Sequence, residues 1–206
     1  YNNGGGSDAG SVRVYKNISG IWTKIGSDID GKKAGDLSGN SISLSDNGTI
    51  LAIGSYHSDG KGSVKSESGS VRVYEYITET WKQIGTDIDG ESGRNGTSIS
   101  LSSDGTILAI GAPYDDNGTV RVYKNISETW TQIGDNIKSV YGPESNSGWS
   151  ISLSSNGNIV AIGNDNQRGG AVRVFEYVSG AWTKIGNTIF GETVDDYNGY
   201  SISLSS

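Results

Sequence analysis

Short stretches in which apolar and polar residues alternate recur along the chain, most clearly within residues 98–123. Residues 98–102 place isoleucine and leucine on one face and serines on the other, and residues 120–123 alternate again. This period of two is typical of half-buried β-strands. A mainly apolar run, residues 106–110, lies between them, and turn-forming Asp, Asn and Gly residues separate the three stretches. The pattern predicts three strands joined by tight turns, with a fourth strand after the next turn.

This four-strand unit is repeated along the chain. The first strand, S-I-S-L-S, begins at Ser41, Ser98, Ser150 and Ser201, with spacings of 57, 52 and 51 residues. The fourth strand carries a tryptophan in each copy: Trp22, Trp81, Trp130 and Trp182. A period of about fifty residues with four short antiparallel strands is typical of a propeller blade, whereas a β-solenoid would use shorter, parallel coils. We therefore predict an all-β fold, a β-propeller of about 50-residue four-stranded antiparallel blades.

The repeat register divides the chain into one propeller domain, residues 1–206, in which the last blade is incomplete. Residues 1–40 supply the outer strands of a split blade, and residues 201–206 supply its first strand. Three whole blades lie between them, at residues 41–97, 98–149 and 150–200. The split blade has no second strand in this sequence, which leaves a slot for strand addition. We favour the simpler interpretation, that the chain is a fragment of a longer array.

Composition narrows the classes of function. The sequence has 32 glycines, 2 prolines and a hydrophobic fraction of 33%, which fits many short strands rather than helices. It has no cysteine, so disulfides, thiolate metal sites and a cysteine nucleophile are excluded. The net charge of −7 without a basic cluster argues against a nucleic-acid partner. No apolar run is long enough to predict a membrane span.

Catalytic motifs are not recognisable in the sequence. His57 is the only histidine, and the 23 carboxylates lie mostly in turns without an evident acid–base pair. The Asp-Ile-Asp-Gly segments at residues 28–31 and 87–90 resemble a cation loop, but the third and fourth copies lose the carboxylates, so we interpret them as turns. We predict no enzyme, no catalytic residue, no metal site and no cofactor.

One position varies while its surroundings repeat. The residue immediately before each first strand, after a glycine that recurs in every copy, is Asn40, Thr97, Trp149 or Tyr200. First strands line the central channel of a propeller, so these four side chains are our candidate ligand-binding residues at one mouth of the channel. An exposed Trp and Tyr there could stack on a sugar ring or clamp a side chain. The alternative interpretation is that they plug the channel.

Five asparagines lie in N-x-S/T sequons and are candidate glycosylation sites. They are Asn17, Asn125, Asn47, Asn95 and Asn117. The first two fall at the tip of an outer hairpin, where a bulky glycan is tolerated best. The other three lie in Asn-Gly turns or beside them, which turn chemistry favours in any case.

The chain resembles the FG-GAP repeat, the unit of the integrin α-subunit head propeller. The resemblance rests on Ile110–Pro113, Val120–Tyr123, the Asp104-Gly105 turn and the segment 96–100. It is closest to tandem arrays of secreted marine microbial and algal surface proteins. The Phe of the FG pair is replaced by Ser38, Asn95, Ser147 and Asn198. The turn that carries calcium ligands in some members is too short here to surround Ca²⁺ with oxygens, so that calcium site is not expected.

The resemblance implies an extracellular or cell-surface location and a function in contacts between proteins. We predict a non-catalytic adhesion or structural glycoprotein module with protein or glycan ligands, and open-ended repeats favour self-association into filaments or arrays. The alternative is a carbohydrate-binding, lectin-like propeller using Trp149 and Tyr200. A propeller hydrolase is less favoured, and loss of turnover on mutating His57 would support it.

Overall fold

The computed structural model describes residues 5–59, 67–140, 142, 145–165 and 169–205. Its regular secondary structure in these ranges consists of β-strands alone. Within the same ranges, no helix is long and apolar enough to cross a membrane.

Sixteen strands follow one another along the chain. The first eight are β1 (Ser11–Ile18), β2 (Ile21–Asp30), β3 (Ser41–Leu44), β4 (Ile50–Ser55), β5 (Ser70–Ile77), β6 (Thr80–Gln83), β7 (Ile88–Asp89) and β8 (Ser98–Leu101). The others are β9 (Ile107–Ala112), β10 (Thr119–Ile126), β11 (Thr129–Gln132), β12 (Ile137–Lys138), β13 (Ser147–Leu153), β14 (Ile159–Asn164), β15 (Ala171–Val178) and β16 (Ala181–Phe190).

Within the described residues the strands form four antiparallel sheets, and the main path of each sheet joins strands that follow one another in sequence. The first sheet contains only β1 and β2, and the other three follow the orders β3-β4-β5-β6, β8-β9-β10-β11 and β13-β14-β15-β16. We call the two-stranded sheet the half blade and the others blades 1, 2 and 3. The four-stranded antiparallel unit predicted from the repeat is therefore confirmed. The exact unit boundaries proposed above stay a prediction.

The fourth strand of each unit is longer than the sequence indicated. β7 pairs with β5, the partner of β6, and β12 pairs with β10, the partner of β11. The short strands β7 and β12 therefore continue the fourth strands β6 and β11 after a break. In the half blade the same segment is part of β2, where Ser11 pairs with Asp30. The interpretation of Asp-Ile-Asp-Gly as a turn was therefore wrong at Asp28–Asp30. The central isoleucine is buried in each of the first three copies, and this burial holds the segment in the sheet.

The hydrophobic core lies between neighbouring sheets rather than within one of them. Blades 1 and 2 bury Val73, Ile99, Leu108 and Ile110 in one cluster, and blades 2 and 3 bury a second cluster of the same kind. Serines of the first strands also join the blades, because the Oγ of Ser43 accepts a hydrogen bond from the Leu101 amide at 2.9 Å. The same bond links Ser100 to Leu153 and Ser152 to Leu204. Adjacent first strands are thus held at a common axis.

The third-strand arginines of blades 1 and 3 link each of these blades to the unit before it. Arg72 donates to the Ser38 Oγ at 2.8 Å, and Arg173 donates to the Ser147 Oγ at 2.7 Å. These serines stand where the FG-GAP pattern has Phe, so the departure supplies an acceptor for the arginine. The Arg72 guanidinium also lies near a ring of its own strand, 5.7 Å from the Tyr74 centroid.

Each blade also places its tryptophan on the preceding unit. The Trp81 Nε1 donates to the Ile25 carbonyl at 3.1 Å, and the Trp182 Nε1 donates to the Ile133 carbonyl at 3.0 Å. The residue after each carbonyl is a glycine with positive φ, and a Cβ on Gly26 would lie 2.6 Å from the Trp81 Cδ1. Glycine is therefore required here for the close approach of the indole as well as for its backbone conformation.

Gly26→Ala is expected to destabilise the chain by about 1–3 kcal/mol more than Gly186→Ala, because the added methyl group overpacks the contact between Gly26 and the Trp81 indole. Gly186 is the matched control, since its φ of 67° is close to the 70° of Gly26 and a Cβ there meets nothing within 4 Å. The backbone cost is then the same in both variants. Urea unfolding in dilute solution measures the difference, and equal losses would show that the indole does not restrict this position.

Candidate functional site

One cavity of about 310 Å³ opens where the first strands begin and the second strands end. We call it the mouth cavity, and its lining residues are Asn40, Tyr56, Arg94, Thr97, Tyr114 and Trp149. Three of the four residues that the sequence singled out therefore line the same space. The fourth, Tyr200, has its ring centroid 5.9 Å from that of Trp149. The cavity gives these residues a common location, while their role in binding a ligand stays a prediction.

The turn that carries Arg94 has the same backbone in every unit. Leu37, Arg94, Asn146 and Tyr197 occupy equivalent positions, and their φ angles are 51°, 58°, 47° and 51°. This left-handed conformation is a property of the repeat, so it does not indicate a functional strain at Arg94 alone. What differs between units is the side chain, and among the four turns only the one between β7 and β8 presents a cation.

The Arg94 guanidinium lies between aromatic rings and a carboxylate. Its Cζ is 5.7 Å from the Tyr56 centroid and 5.1 Å from the Tyr114 centroid, within cation–π range of both. Its Nε and Nη2 donate to the Glu67 Oε2 at 3.1 and 2.9 Å. Within the described part of the chain, the Arg94 Nη1 has no hydrogen-bond partner. These contacts fix the plane of the guanidinium and leave one nitrogen for an anionic or carbonyl oxygen.

His57 lies next to this arrangement. Its Nδ1 is 3.8 Å from the Glu67 Oε1, and its ring packs edge-on against Tyr56 at 4.4 Å between centroids. Glu67 thus stands between His57 and Arg94, with one oxygen facing each. The side chain of His57 is 29% exposed, so solvent and small molecules can reach it. A histidine, a carboxylate and an arginine beside an aromatic cavity form a set that can exchange a proton and stabilise a developing negative charge.

The carboxyl group of Asp165, directly after blade 3's second strand, has an altered pKa. Burial raises the pKa of Asp165, and a hydrogen bond from the Asn146 amide lowers it to a smaller extent. The Nδ2 of Asn146 is 3.3 Å from the Asp165 Oδ1. Asn146 is the counterpart of Arg94, so the same turn supports a neutral amide in one unit and a cation in another.

The sequon asparagines differ in their surroundings. Asn95 is buried and its Nδ2 donates to the Ile88 carbonyl at 3.2 Å, so the folded chain has no room for a glycan there. The Asn47 Oδ1 accepts three bonds that close a turn. Asn17 is exposed at the tip of the half-blade hairpin, while Asn125 is partly exposed and Asn117 exposed. Glycosylation stays a prediction, best supported at Asn17.

Four residues of this site were missed by reasoning from the sequence: Tyr56, Glu67, Arg94 and Tyr114. For Arg94 a signal existed, since its position varies within a repeated turn just as Asn40 and Thr97 do. Glu67 lies in the segment between the second and third strands, which is longer in blade 1 than in blades 2 and 3, and only the fold brings it to Arg94. In the described ranges, no cluster of three or more His, Asp or Glu side chains could hold a metal ion.

Comparisons with known proteins identify the architecture. The chain matches no protein-family profile and no curated protein sequence. Among solved structures, it is similar to a candidate 6-phosphogluconolactonase from Bacteroides uniformis (TM-score 0.62, 16% identity, covering 90% of this chain and 50% of that one). It is also similar to a protein from Lactobacillus plantarum (TM-score 0.60, 20% identity, 95% and 52%). A third is the periplasmic gluconolactonase of Pseudomonas aeruginosa (TM-score 0.57, 19% identity, 87% and 48%).

The chain has a β-propeller fold. The prediction made from the repeat is confirmed by these structures together with the antiparallel sheets. The chain spans about half the length of the propellers that it matches. None of the three is described as an FG-GAP protein.

The same comparisons correct two predictions of function. We predicted that the propeller is not an enzyme and that it serves as an adhesion or structural module. Two of the three propellers above carry lactonase names, so these predictions are contradicted and are not retained. The reasoning failed because it treated the lack of a recognisable motif as the lack of a site. His57 and Arg94 are separated in the sequence, and only the folded chain places Glu67 between them.

Proposed function

We propose that this propeller is a hydrolase that opens the cyclic ester of a sugar-like lactone in the mouth cavity. The observation that carries the proposal is the His57–Glu67–Arg94 arrangement at the edge of an aromatic cavity. The similarity in fold to propellers named as lactonases supports this class of substrate. At 16–19% identity the comparison itself extends only to the fold.

The lining residues of the cavity, and His57 beside its Tyr56, have complementary roles in this reaction. Tyr56, Tyr114 and Trp149 offer ring faces to the C–H faces of a sugar-like ring. His57 takes a proton from a water molecule, whose oxygen then attacks the lactone carbonyl carbon. The carbonyl oxygen becomes negatively charged and is stabilised by the Arg94 guanidinium. The ring C–O bond breaks, and the leaving alkoxide recovers the proton from His57, so the product is a hydroxy acid.

Glu67 acts as a positioning residue in this scheme. One of its oxygens holds Arg94 through two hydrogen bonds, and the other lies 3.8 Å from the His57 Nδ1. The protonated imidazole formed during the reaction gains a nearby negative charge.

We also propose that the propeller is of the FG-GAP type and functions outside the cell with glycan-derived ligands. The support is the motif set around Ile110–Pro113 and Val120–Tyr123, together with the exposed sequon at Asn17. Fractionation of the source cells, followed by mass analysis before and after deglycosylation, tests the location. Recovery of the unglycosylated chain from the cytosol would contradict it.

The proposed reaction is tested with gluconolactone and its 6-phosphate, by acid release in a pH-stat after subtraction of spontaneous hydrolysis. We expect His57→Ala to lower kcat by about 10²-fold, the lower end for loss of a general base, and Arg94→Ala to lower it by at least about tenfold. Glu79→Gln is the control, since Glu79 lies at the exposed hairpin tip of the same blade as His57.

Thermal unfolding of each variant shows that the fold is retained. Hydrolysis no faster than in buffer would overturn the proposal. So would hydrolysis that His57→Ala and Arg94→Ala leave unchanged.

A further inference from the structure

Two clefts lie between neighbouring blades, beside their third and fourth strands. The cleft between blades 1 and 2 has a volume of about 370 Å³ and contains Tyr123 and Trp130 in its lining. The cleft between blades 2 and 3 has a volume of about 340 Å³, with Phe175 and Trp182 at the equivalent positions. Neither cleft shares a lining residue with the mouth cavity, so both are separate from the site described above.

The two clefts carry opposite charge. The cleft between blades 1 and 2, which we call the acidic cleft, is lined by three carboxylates and no basic side chain: Asp87, Asp89 and Glu128. The cleft between blades 2 and 3, which we call the basic cleft, is lined by three basic side chains and one carboxylate: Lys138, Arg173, Lys184 and Asp135. A negatively charged ligand is therefore attracted to the basic cleft and repelled from the acidic one.

The difference in charge arises at matching positions of the repeat. Lys138 pairs with the first residue of the third strand of blade 2, as Asp89 does in blade 1. Lys184 pairs with Phe175 in blade 3, where blade 2 has a glutamine opposite its tyrosine. The backbone ladder is the same in each case, so the basic side chains are a property of this cleft and not of the repeat.

The ammonium group of Lys184 is left without a carboxylate. Its counterpart in the half blade, Lys24, pairs with Asp28 at 2.7 Å. In blade 3 the position of Asp28 is taken by Thr188, which has no charge. Within the described ranges of the chain, Lys184 forms no ion pair, and its side chain is exposed. Its charge is therefore available to a ligand.

Two further basic side chains add to the positive charge of the cleft. Lys138 pairs with Asp116 at 2.7 Å, but both side chains are more than half exposed. Solvent screens such a pair, so Lys138 can exchange it for a ligand at little cost. Arg173 is only 4% exposed, and it donates to the Lys138 carbonyl at 3.0 Å and to the Ser147 Oγ at 2.7 Å. It therefore contributes a fixed positive charge beneath the cleft.

Apolar side chains form much of the remaining lining of the basic cleft. Trp182 is held in place because its Nε1 donates to the Ile133 carbonyl at 3.0 Å, and Phe175 and Val140 line the cleft with it. An indole of fixed orientation suits the C–H face of a sugar ring. The volume lies near the lower end of the range of about 300–1,000 Å³ for small-molecule sites, which fits a ligand the size of a sugar unit.

We propose that the basic cleft binds a sugar unit that carries a carboxylate or sulfate group. The anionic group would contact the ammonium groups of Lys184 and Lys138, and the sugar ring would pack on Trp182. A neutral sugar lacks the first contact, and an acidic peptide lacks the second. The proposal does not depend on the hydrolase reaction, because the cleft and the mouth cavity are lined by different residues.

The test is isothermal titration calorimetry at low ionic strength with methyl glucuronoside and methyl glucoside, which differ only at the carboxylate. The wild-type chain is expected to bind the glucuronoside at least about tenfold more tightly. Lys184→Gln and Lys138→Gln are each expected to weaken that binding about tenfold, since each removes a charge-assisted contact. Lys124→Gln is the matched control, because Lys124 is an exposed lysine of β10 that lines neither cleft.

Arg94→Ala separates the basic cleft from the mouth cavity. We expect it to leave glucuronoside binding unchanged, whatever it does to lactone hydrolysis. Binding that is lost in Arg94→Ala and kept in Lys184→Gln would overturn the proposal. So would equal affinity for the glucuronoside and the glucoside, or no heat of binding at the highest soluble concentration.

Two further probes define the ligand. Triglutamate bound as tightly as the glucuronoside would overturn the proposal, because the cleft would then recognise charge without the sugar ring. A hexuronate tetrasaccharide distinguishes the two sources of an anionic sugar unit. Tighter binding than that of the glucuronoside would support the proposal with a polysaccharide as the source, and equal binding would support it with a free sugar acid as the source.

Discussion

Leu108→Ala is expected to lower the free energy of unfolding by about 3 kcal/mol, within the range of 2–5 kcal/mol for buried leucines. Leu108 is fully buried, with 0% of its surface exposed, and it packs in the cluster shared by blades 1 and 2. The same cluster contains Val73 of blade 1 and Ile110 of blade 2. Strands on both sides hold the walls of the resulting cavity, so they cannot collapse to fill it.

The measurement is equilibrium urea unfolding, with Ile126→Ala as the control. The Ile126→Ala substitution removes as many carbon atoms as Leu108→Ala does. The Ile126 side chain, however, is about half exposed. It lies on β10, which pairs with β9, the strand of Leu108. We expect this control to change stability little. Equal losses for the two variants would show that the space between blades 1 and 2 is not the core that the structure indicates.

The strand pattern was predictable from the sequence because alternation and turn chemistry are local. The burial of each strand was not. Ile42 and Leu44 have the same sequence context as Ile99 and Leu101, yet the first pair is exposed and the second is buried. The difference comes from what packs beside the strand, and a repeated motif carries no information about its neighbour. The same reason explains why Trp22 could not be distinguished from Trp81.

The candidate site was predictable in part for a related reason. Asn40, Thr97 and Trp149 were found because they vary within a fixed frame, and the frame determines which end of the blade they occupy. Arg94 varies in the same way, but its meaning depends on Tyr56 and Glu67. Those two residues lie between β4 and β5, and Tyr114 lies after β9 of the next blade. Contacts between such segments depend on how the strands are placed in three dimensions, which the spacing of motifs does not provide.

Asp115→Ala is expected to destabilise the chain by about 3 kcal/mol or more, the cost of leaving a buried charge without its partner. The Arg121 Nη2 lies 2.5 Å from the Asp115 Oδ2, and the two side chains are only 9% and 11% exposed. Asp115 also accepts a bond from the Ser92 Oγ at 2.6 Å. In blades 1 and 3 the equivalent arginine reaches a serine of the preceding unit, but that serine is replaced here by Asn95.

Asp116→Ala is the matched control for this prediction. Asp116 is the next residue and pairs with Lys138 at 2.7 Å, but both side chains are more than half exposed. Solvent screens such a pair, so little change is expected in chemical denaturation. Losses of equal size at Asp115 and Asp116 would contradict the structural distinction between the two carboxylates.

The double variant Asp115→Ala/Arg121→Met decides whether the loss comes from the unpaired charge or from lost packing. Methionine keeps much of the apolar stem of arginine and removes the guanidinium, so no buried charge is left without a partner. We expect the double variant to recover most of the stability that Asp115→Ala loses, in the same urea titration. If the double variant is less stable than Asp115→Ala alone, the ion pair is not the source of the effect. The replacement of a serine by Asn95 would then have been accommodated by packing around Arg121 rather than by a new electrostatic partner.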